Sequence, residues 1–287
     1  MLNVLNKFVK NVFIIKSTLY QFSSEFITHQ TLSNPERKQT IMRIELPITM
    51  FNNTDPHADV TIPINYEGQF LRAIKIGMQK SNYEFYEQMY TNKRQIKNFA
   101  MSMYFPNAKF HGKQITLAHQ PNNAKMFFTT NNPLILANYL NTFTTMKNAK
   151  NLQFDRHIDY QINEIQTNTP RIIKNNTAIF KTLSPVLVQN HAHWYLDPTK
   201  DIDEYTKSLK ISIKNHLNNP ELAPLVDNLK FIPLDLKHRV MNLFTDMVSG
   251  VTGTFAIKAD PKLLNELNEN GIGSNRGCFK GMIRQIA

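Results

Sequence analysis

A single cysteine, Cys278, excludes an internal disulfide and any zinc cluster built from cysteines, and it suits a reducing cytoplasm. No apolar run approaches the roughly 20 residues needed to cross a bilayer, so a membrane-spanning role is not expected. Acidic residues are in short supply, 22 against 33 lysines and arginines, which leaves a net charge of +11. Such an excess implies a polyanionic partner. Glycine is also scarce, nine in 287 residues, and four of the nine fall between Gly271 and Gly281. Residues 1–41 hold none. They read as a helix followed by a polar linker, or as an upstream extension, because Met42 opens a natural domain start.

What is present suffices for real cores: 41% of the residues are hydrophobic and 10% aromatic. From Met42 the pattern reads strand (RIELPITMF), helix (YEGQFLRAIKIGMQ), a polar and aromatic stretch (YEFYEQMYTNKRQIK), and then the alternating strand NFAMSMYF. Strands KQITLAH and KMFFTT follow, then a helix capped by Asn132 with Pro133 in its first turn, and a strand in NLQFDRHIDYQINEIQ. The second half repeats the plan. AIFKTLSPVLVQ reads as a strand, DIDEYTKSLKISIKNHL as a helix, and KFIPLDLKHRVMNLF with VTGTFAIKA as a strand pair. A helix opened by Asp260 and Pro261 leads to the last strand, CFKGMIRQI. The order βαββαβ, twice, predicts an α+β chain of two tandem ferredoxin-like domains, 42–167 and 175–287, with a glycine-rich loop over 271–281.

The loop GIGSNRGCFKGMI follows a helix, whereas phosphate loops of nucleotide enzymes follow a strand and open a helix. With no GK[ST] either, a Rossmann or P-loop enzyme is excluded. Two readings remain for the glycines. They end the Asp260 helix and turn into the last strand, or they bring bare backbone to a phosphate with Arg276 and Lys280 offsetting the negative helix end.

The terminal GIGS with GMI close behind, the DPKLL helix before it and KTLSPVLV at the opening of the second half resemble the sixth Cas family, the CRISPR-associated endoribonucleases that cut precursor repeat RNA. The resemblance spans Met42 to Ala287. It implies tandem ferredoxin-like domains and CRISPR repeat RNA as partner. It implies cleavage without metal or other cofactor, by attack of a ribose 2′-OH, giving a 2′,3′-cyclic phosphate and a 5′-OH. It admits other Cas proteins of an interference complex, or a second copy of the chain, as further partners. The alternative is a relative that binds the processed repeat without cutting it. The resemblance also places Gly271, Gly273, Gly277 and Gly281, with Arg276 and Lys280, against the RNA backbone. Family loops commonly end Gly-aromatic-Gly; here Phe279, Lys280 and Gly281 occupy those places.

Many members of that family carry a histidine after the first helix. Tyr83 to Lys97 has none. Tyr86 and Tyr90 are then the candidates for proton transfer, with Lys93, Arg94 or Lys97 holding the scissile phosphate, although core packing and base stacking are equally natural uses of those rings. His111, in the hairpin FHGKQ, is the remaining candidate for the chemistry. Lys237, His238 and Arg239 form a run open to RNA contact. His191 and His193 have the spacing of metal ligands on an extended strand, but no third ligand is apparent, so no metal site is expected.

Overall fold

The structure, a computed structural model, describes residues 42–287 apart from Pro56, residues 92–96 and Thr245. The reading of residues 1–41 as helix and linker therefore lies outside the described residues. Strand β1 (Met42–Asn52) alternates cleanly: Ile44, Leu46, Ile48 and Met50 are all buried on one face, as a strand covered on one side requires. Helix α1 (Glu67–Ser81) and helix α2 (Pro133–Asn148) pack on that face through Phe70, Ile74 and Met78 and through Tyr139, Phe143 and Met146. Strands β2 (Ala100–Tyr104), β3 (Ala124–Thr130) and β4 (Ile158–Ile162) complete an antiparallel sheet ordered β2-β3-β1-β4.

The second half builds the same object. Strands β5 (Thr177–Thr182), β6 (Lys230–Leu243), β7 (Asp246–Lys258) and β8 (Ile283–Gln285) pair antiparallel in the order β6-β7-β5-β8. Helices α3 (Ile202–Lys214) and α4 (Pro261–Asn270) contribute Tyr205, Leu209, Leu263, Leu264 and Leu267 to its core. Both sheets thus show the ferredoxin-like strand order, and the α+β expectation stands. The helix starts are local: the side chains of Asn132, Asp201 and Asp260 accept the amides of Leu134 and Ile135, Glu204, and Lys262.

Several predicted strands are shorter than the sequence suggested. NLQFDRHIDYQINEIQ breaks into Leu152–Gln153, β4 and Gln166–Asn168, because the Asp155 carboxylate accepts the amides of His157 and Ile158 and turns the chain. CFKGMIRQI keeps strand geometry only over β8, since Arg276–Cys278 form a 3-10 turn and Phe279 and Gly281 adopt positive φ. His191 and His193 do not share a strand face: the chain turns there, with His193 at φ 62°.

Residues 42–287 fall in one compact unit, and polar groups join its two halves. Arg43, buried on β1, donates from Nη2 to the carbonyls of Asn268 and Ile283. Asn98 and Asn131 of the first half bond Asn218, and Asn131 also bonds Glu266. Beside this network Glu269 is buried and its Oε2 has no partner. Burial and the neighbouring Glu266 push its carboxyl up to about 8. A carboxyl whose folded pKa exceeds its unfolded value keeps its full contribution below about 4.5, and stability is lost as pH rises through 8. The variant Glu269→Gln should therefore match the parent near pH 4.5 and gain on it steadily up to about pH 8, levelling off above. Urea midpoints measured across that range check this.

Candidate nucleic-acid interface

The glycine loop is held by the segment KTLSP. The amides of Leu183 and Ser184 donate to the Met282 carbonyl, the Ser184 hydroxyl accepts the Met282 amide, and the Pro185 carbonyl accepts the Gly281 amide at 2.8 Å. Leu187 continues the seam by accepting the Ser274 amide. These two sequence signatures are halves of one latch. A strand cannot run on through Ser184 and Pro185, because the proline offers no N–H and the serine is committed to the loop.

From this latch the loop enters the first half. Phe279 is buried in the core of the first sheet, its ring 6.4 Å from that of Phe70. Lys280, also buried, forms an ion pair with Glu67 at the start of α1 (2.8 Å). Arg276 is buried and donates to the carbonyls of Asn270, Gly271 and Lys97. Burial holds its pKa down at about 10. The positions where bare backbone matters are equally internal. At Gly271 and Gly281, with φ +72° and +69°, an added Cβ would lie 2.4 Å from the Gly281 carbonyl oxygen and 2.1 Å from that of Ile272. Gly273 faces the Leu187 carbonyl, and Gly277 faces Phe99 and Lys97. The expected phosphate-facing glycines and their two cations therefore build the junction between the halves.

The aromatic stretch lies against this junction. Asn82 caps one helical turn, Tyr83–Tyr86, which runs on into a π-helical turn over Glu87–Thr91. Tyr83, Tyr86 and Tyr90 line up with neighbouring ring centroids 6.0 and 5.8 Å apart. Two ammonium groups lie over the Tyr90 ring, Lys97 at 4.3 Å and Lys75 at 5.0 Å. Cys278 of the loop completes the cluster. Burial pushes its thiol up, against the pull of Lys97, Lys280 and Lys75. Burial, chiefly, lowers the Lys97 pKa, and Lys75 adds to the effect.

The two tyrosines differ. Tyr90 shares a hydrogen bond with the fully buried Tyr139 (2.9 Å), and burial pushes its hydroxyl up to about 12. A phenol so placed is a poor proton acceptor at neutral pH. Tyr86 is only half-buried, and no hydrogen bond engages its hydroxyl among the described residues. Lys93 and Arg94 lie outside the described residues. His111 does not join the cluster: it is exposed on the outer strand of a separate three-stranded sheet formed by Thr61–Pro63, Gln114–Thr116 and Lys109–His111. Lys237, His238 and Arg239 are exposed along β6, an edge strand. His238 pairs with Ser249 and lies 4.0 Å from Asp197. Sequence reasoning passed over Lys75 and Cys278, for only the tertiary fold brings them to Tyr90.

Two ferredoxin-like sheets joined through a C-terminal glycine latch make a tandem ferredoxin-like architecture. The fold is shared with solved structures at low identity. A RAMP protein described as binding different RNA substrates has TM-score 0.69 and 14% identity, over 86% of this chain and 100% of that one. A Cas6-related protein from Pyrococcus furiosus gives 0.66 and 15%, over 86% and 98%. A CRISPR-associated Cas6 gives 0.62 and 18%, over 86% and 100%. Residues 165–284 match the family model described as CRISPR associated protein Cas6, C-terminal. Over those residues the second half is similar to the Cas6 C-terminal domain, and there the resemblance to the sixth Cas family holds. No curated protein matches the chain in sequence.

Because the space at Gly281 is filled by a carbonyl and its φ is left-handed, Gly281→Ala should cost about 2 kcal/mol or more. A drop of several degrees in thermal midpoint, with or without RNA present, is the expected reading.

Proposed function

We propose that the chain binds CRISPR repeat RNA and cleaves it without metal, by in-line attack of a ribose 2′-OH that leaves a 2′,3′-cyclic phosphate and a 5′-OH. One observation carries the reading. A solvent-facing lysine, Lys75, and the half-buried Lys97 stand over an aromatic ladder at the junction of two RAMP-type modules, in a protein of net charge +11. Arg276 and Lys280 are spent on protein partners, so the cations left for a phosphodiester in the described part of the cluster are Lys75 and Lys97. Placed beside the scissile group, an ammonium stabilises the charge that builds on the phosphorane oxygens. Tyr86 is the group assigned to proton transfer. As a phenolate it takes the 2′-OH proton while the phosphate becomes pentacoordinate, or as a neutral phenol it supplies its own proton to the departing 5′-oxygen. Lys93 and Arg94 remain candidates for holding the phosphate.

A second reading has a specific observation behind it. The Tyr90 hydroxyl is locked to Tyr139, and among the described residues no histidine joins the cluster. A protein so equipped can bind and retain the repeat without cutting it.

Incubating a labelled cognate repeat with the protein in excess EDTA separates the two. The cleaving form yields a 2′,3′-cyclic phosphate product. In it Tyr86→Phe should lower the single-turnover rate about 10²-fold with affinity nearly unchanged, while Tyr90→Phe should leave the rate alone. Lys97→Ala should slow the same step. Tight binding with no cyclic phosphate selects the binding-only form. The logarithm of affinity should in either case fall with log salt at a slope of about −3.5 if about five phosphates of a single strand are neutralised.

A further inference from the structure

The ammonium of Lys97 stands over Tyr90, yet residues 97–99 belong to no strand or helix, so no regular ladder fixes the backbone that carries it. Side chains hold it instead. Within the first module Thr130 Oγ1 donates to the Asn98 carbonyl (2.7 Å). From the second module Arg276 Nη2 donates to the Lys97 carbonyl (3.4 Å), and the Asn218 side chain accepts from Asn98 Nδ2.

This last bond opens a directed series. Asn98 Nδ2 donates to Asn218 Oδ1, Asn218 Nδ2 to Asn131 Oδ1, and Asn131 Nδ2 to Glu266 Oε2. Each amide can be turned over, since its oxygen and nitrogen match in shape and differ only in role, whereas an ionised carboxylate can only accept. Glu266 is buried on α4, and its Oε1 also accepts the Asn218 amide and Asn270 Nδ2, both at 2.9 Å. Burial raises the pKa of this carboxyl, while these hydrogen bonds and Arg276 oppose the rise and favour the accepting form. Asn270 in turn offers its carbonyl to Arg276 Nη1 (2.8 Å) and its side-chain oxygen to the Asn131 amide (3.0 Å). Both contacts that the second module makes with Lys97 and Asn98 therefore lead back to one carboxylate. At the far end Asn98 Oδ1 is buried and has no partner among the described residues, so nothing there selects the orientation of its amide. The direction is imposed from Glu266.

We propose that Glu266 is a positioning residue: by fixing the direction of the amide series it holds the Lys97 segment of the first module, so that the ammonium stays over Tyr90 and meets the phosphate there. Only that last step rests on the repeat-RNA reading above. An apolar contact would join two modules as well as a buried carboxylate does. What the carboxylate adds is direction, passed along hydrogen bonds that polarise one another.

The test uses the full chain and follows the ε-methylene signals of its lysines by NMR. In the parent the Lys97 signal, identified by its loss in Lys97→Arg, should lie upfield of the exposed lysines because of the Tyr90 ring. Glu266→Gln sets an amide nitrogen against a donor whichever way it turns. It should move the signal to the position of the exposed lysines and slow single-turnover cleavage of the repeat about 10-fold, or weaken affinity by that factor in the binding-only form. In a Lys97→Ala background it should add nothing. Asn131→Asp places a second acceptor beside Glu266 and should act like Glu266→Gln. Combined, the two substitutions shift the carboxylate one step along the series and leave every donor with an acceptor, so the double variant should recover the parent's signal and rate. Asn98→Ala removes the head of the series without touching the buried carboxylate; it should displace the signal too, and it serves if Glu266→Gln does not fold. An unmoved Lys97 signal in folded Glu266→Gln or in Asn98→Ala overturns the assignment, as does a double variant no better than either single one. A displaced signal with cleavage and affinity unchanged overturns the role toward RNA. If the parent neither binds nor cuts the repeat, the repeat-RNA reading falls, while the NMR result still decides whether Glu266 holds Lys97.

Discussion

Phe279 sits in the hydrophobic core of the module to which it does not belong. Around it, the glycine loop crosses from the second sheet into the first, and the rest of the architecture follows from that crossing. A loop can pass between two packed sheets only if its backbone comes within contact distance of other backbone, and this is what Gly271 and Gly281 permit. The crossing then needs an edge to hold it, which Ser184 and Pro185 supply, and partners for the cations it buries. Lys280 is paired with Glu67, and Arg276 donates hydrogen bonds to three carbonyls. Burying one phenylalanine contributes about 2–3 kcal/mol, a sizeable part of the stability of an ordinary domain.

The consequence for the candidate interface is a division of labour. Loop residues set the geometry but are themselves committed, while residues at the loop's margin remain available. Lys75 and Lys97 owe their separation to Tyr90, whose ring lies beneath both ammonium groups. Tyr90 in turn is fixed by Tyr139 on α2. A chain of contacts therefore runs from the core through two phenols to the cations, so the spacing of those cations is set by core packing and not by loop conformation.

Much of this was legible in the sequence, and the limits are physical. Helix starts were readable because their signals are local: Asn132 and Asp260 bond amides two or three residues away. Strand order followed from the repeated βαββαβ pattern. The positive balance of the chain followed from counting. The role of the glycines was harder, since the same residues serve a close approach to RNA and a close approach to a carbonyl, and only the tertiary partner distinguishes them. For the same reason Arg276 and Lys280 read as free cations. Strand ends failed where one side chain captured a distant backbone, as Ser184 captures Met282. Lys75 and Cys278 carry no local pattern that would join them, for they meet only once both halves are in place.

The latch also has a bearing on how the chain comes to be folded. Ser102 of the first sheet and Met282 of the latch touch across 180 residues of sequence. During synthesis the first module's core stays open at the place Phe279 fills until the glycine loop of the second module has been made. Contacts so distant along the chain are slow to form, and an unfilled apolar core is exposed to aggregation meanwhile. The two modules look like independent repeats, but the core of the first is closed by a segment that belongs to the second.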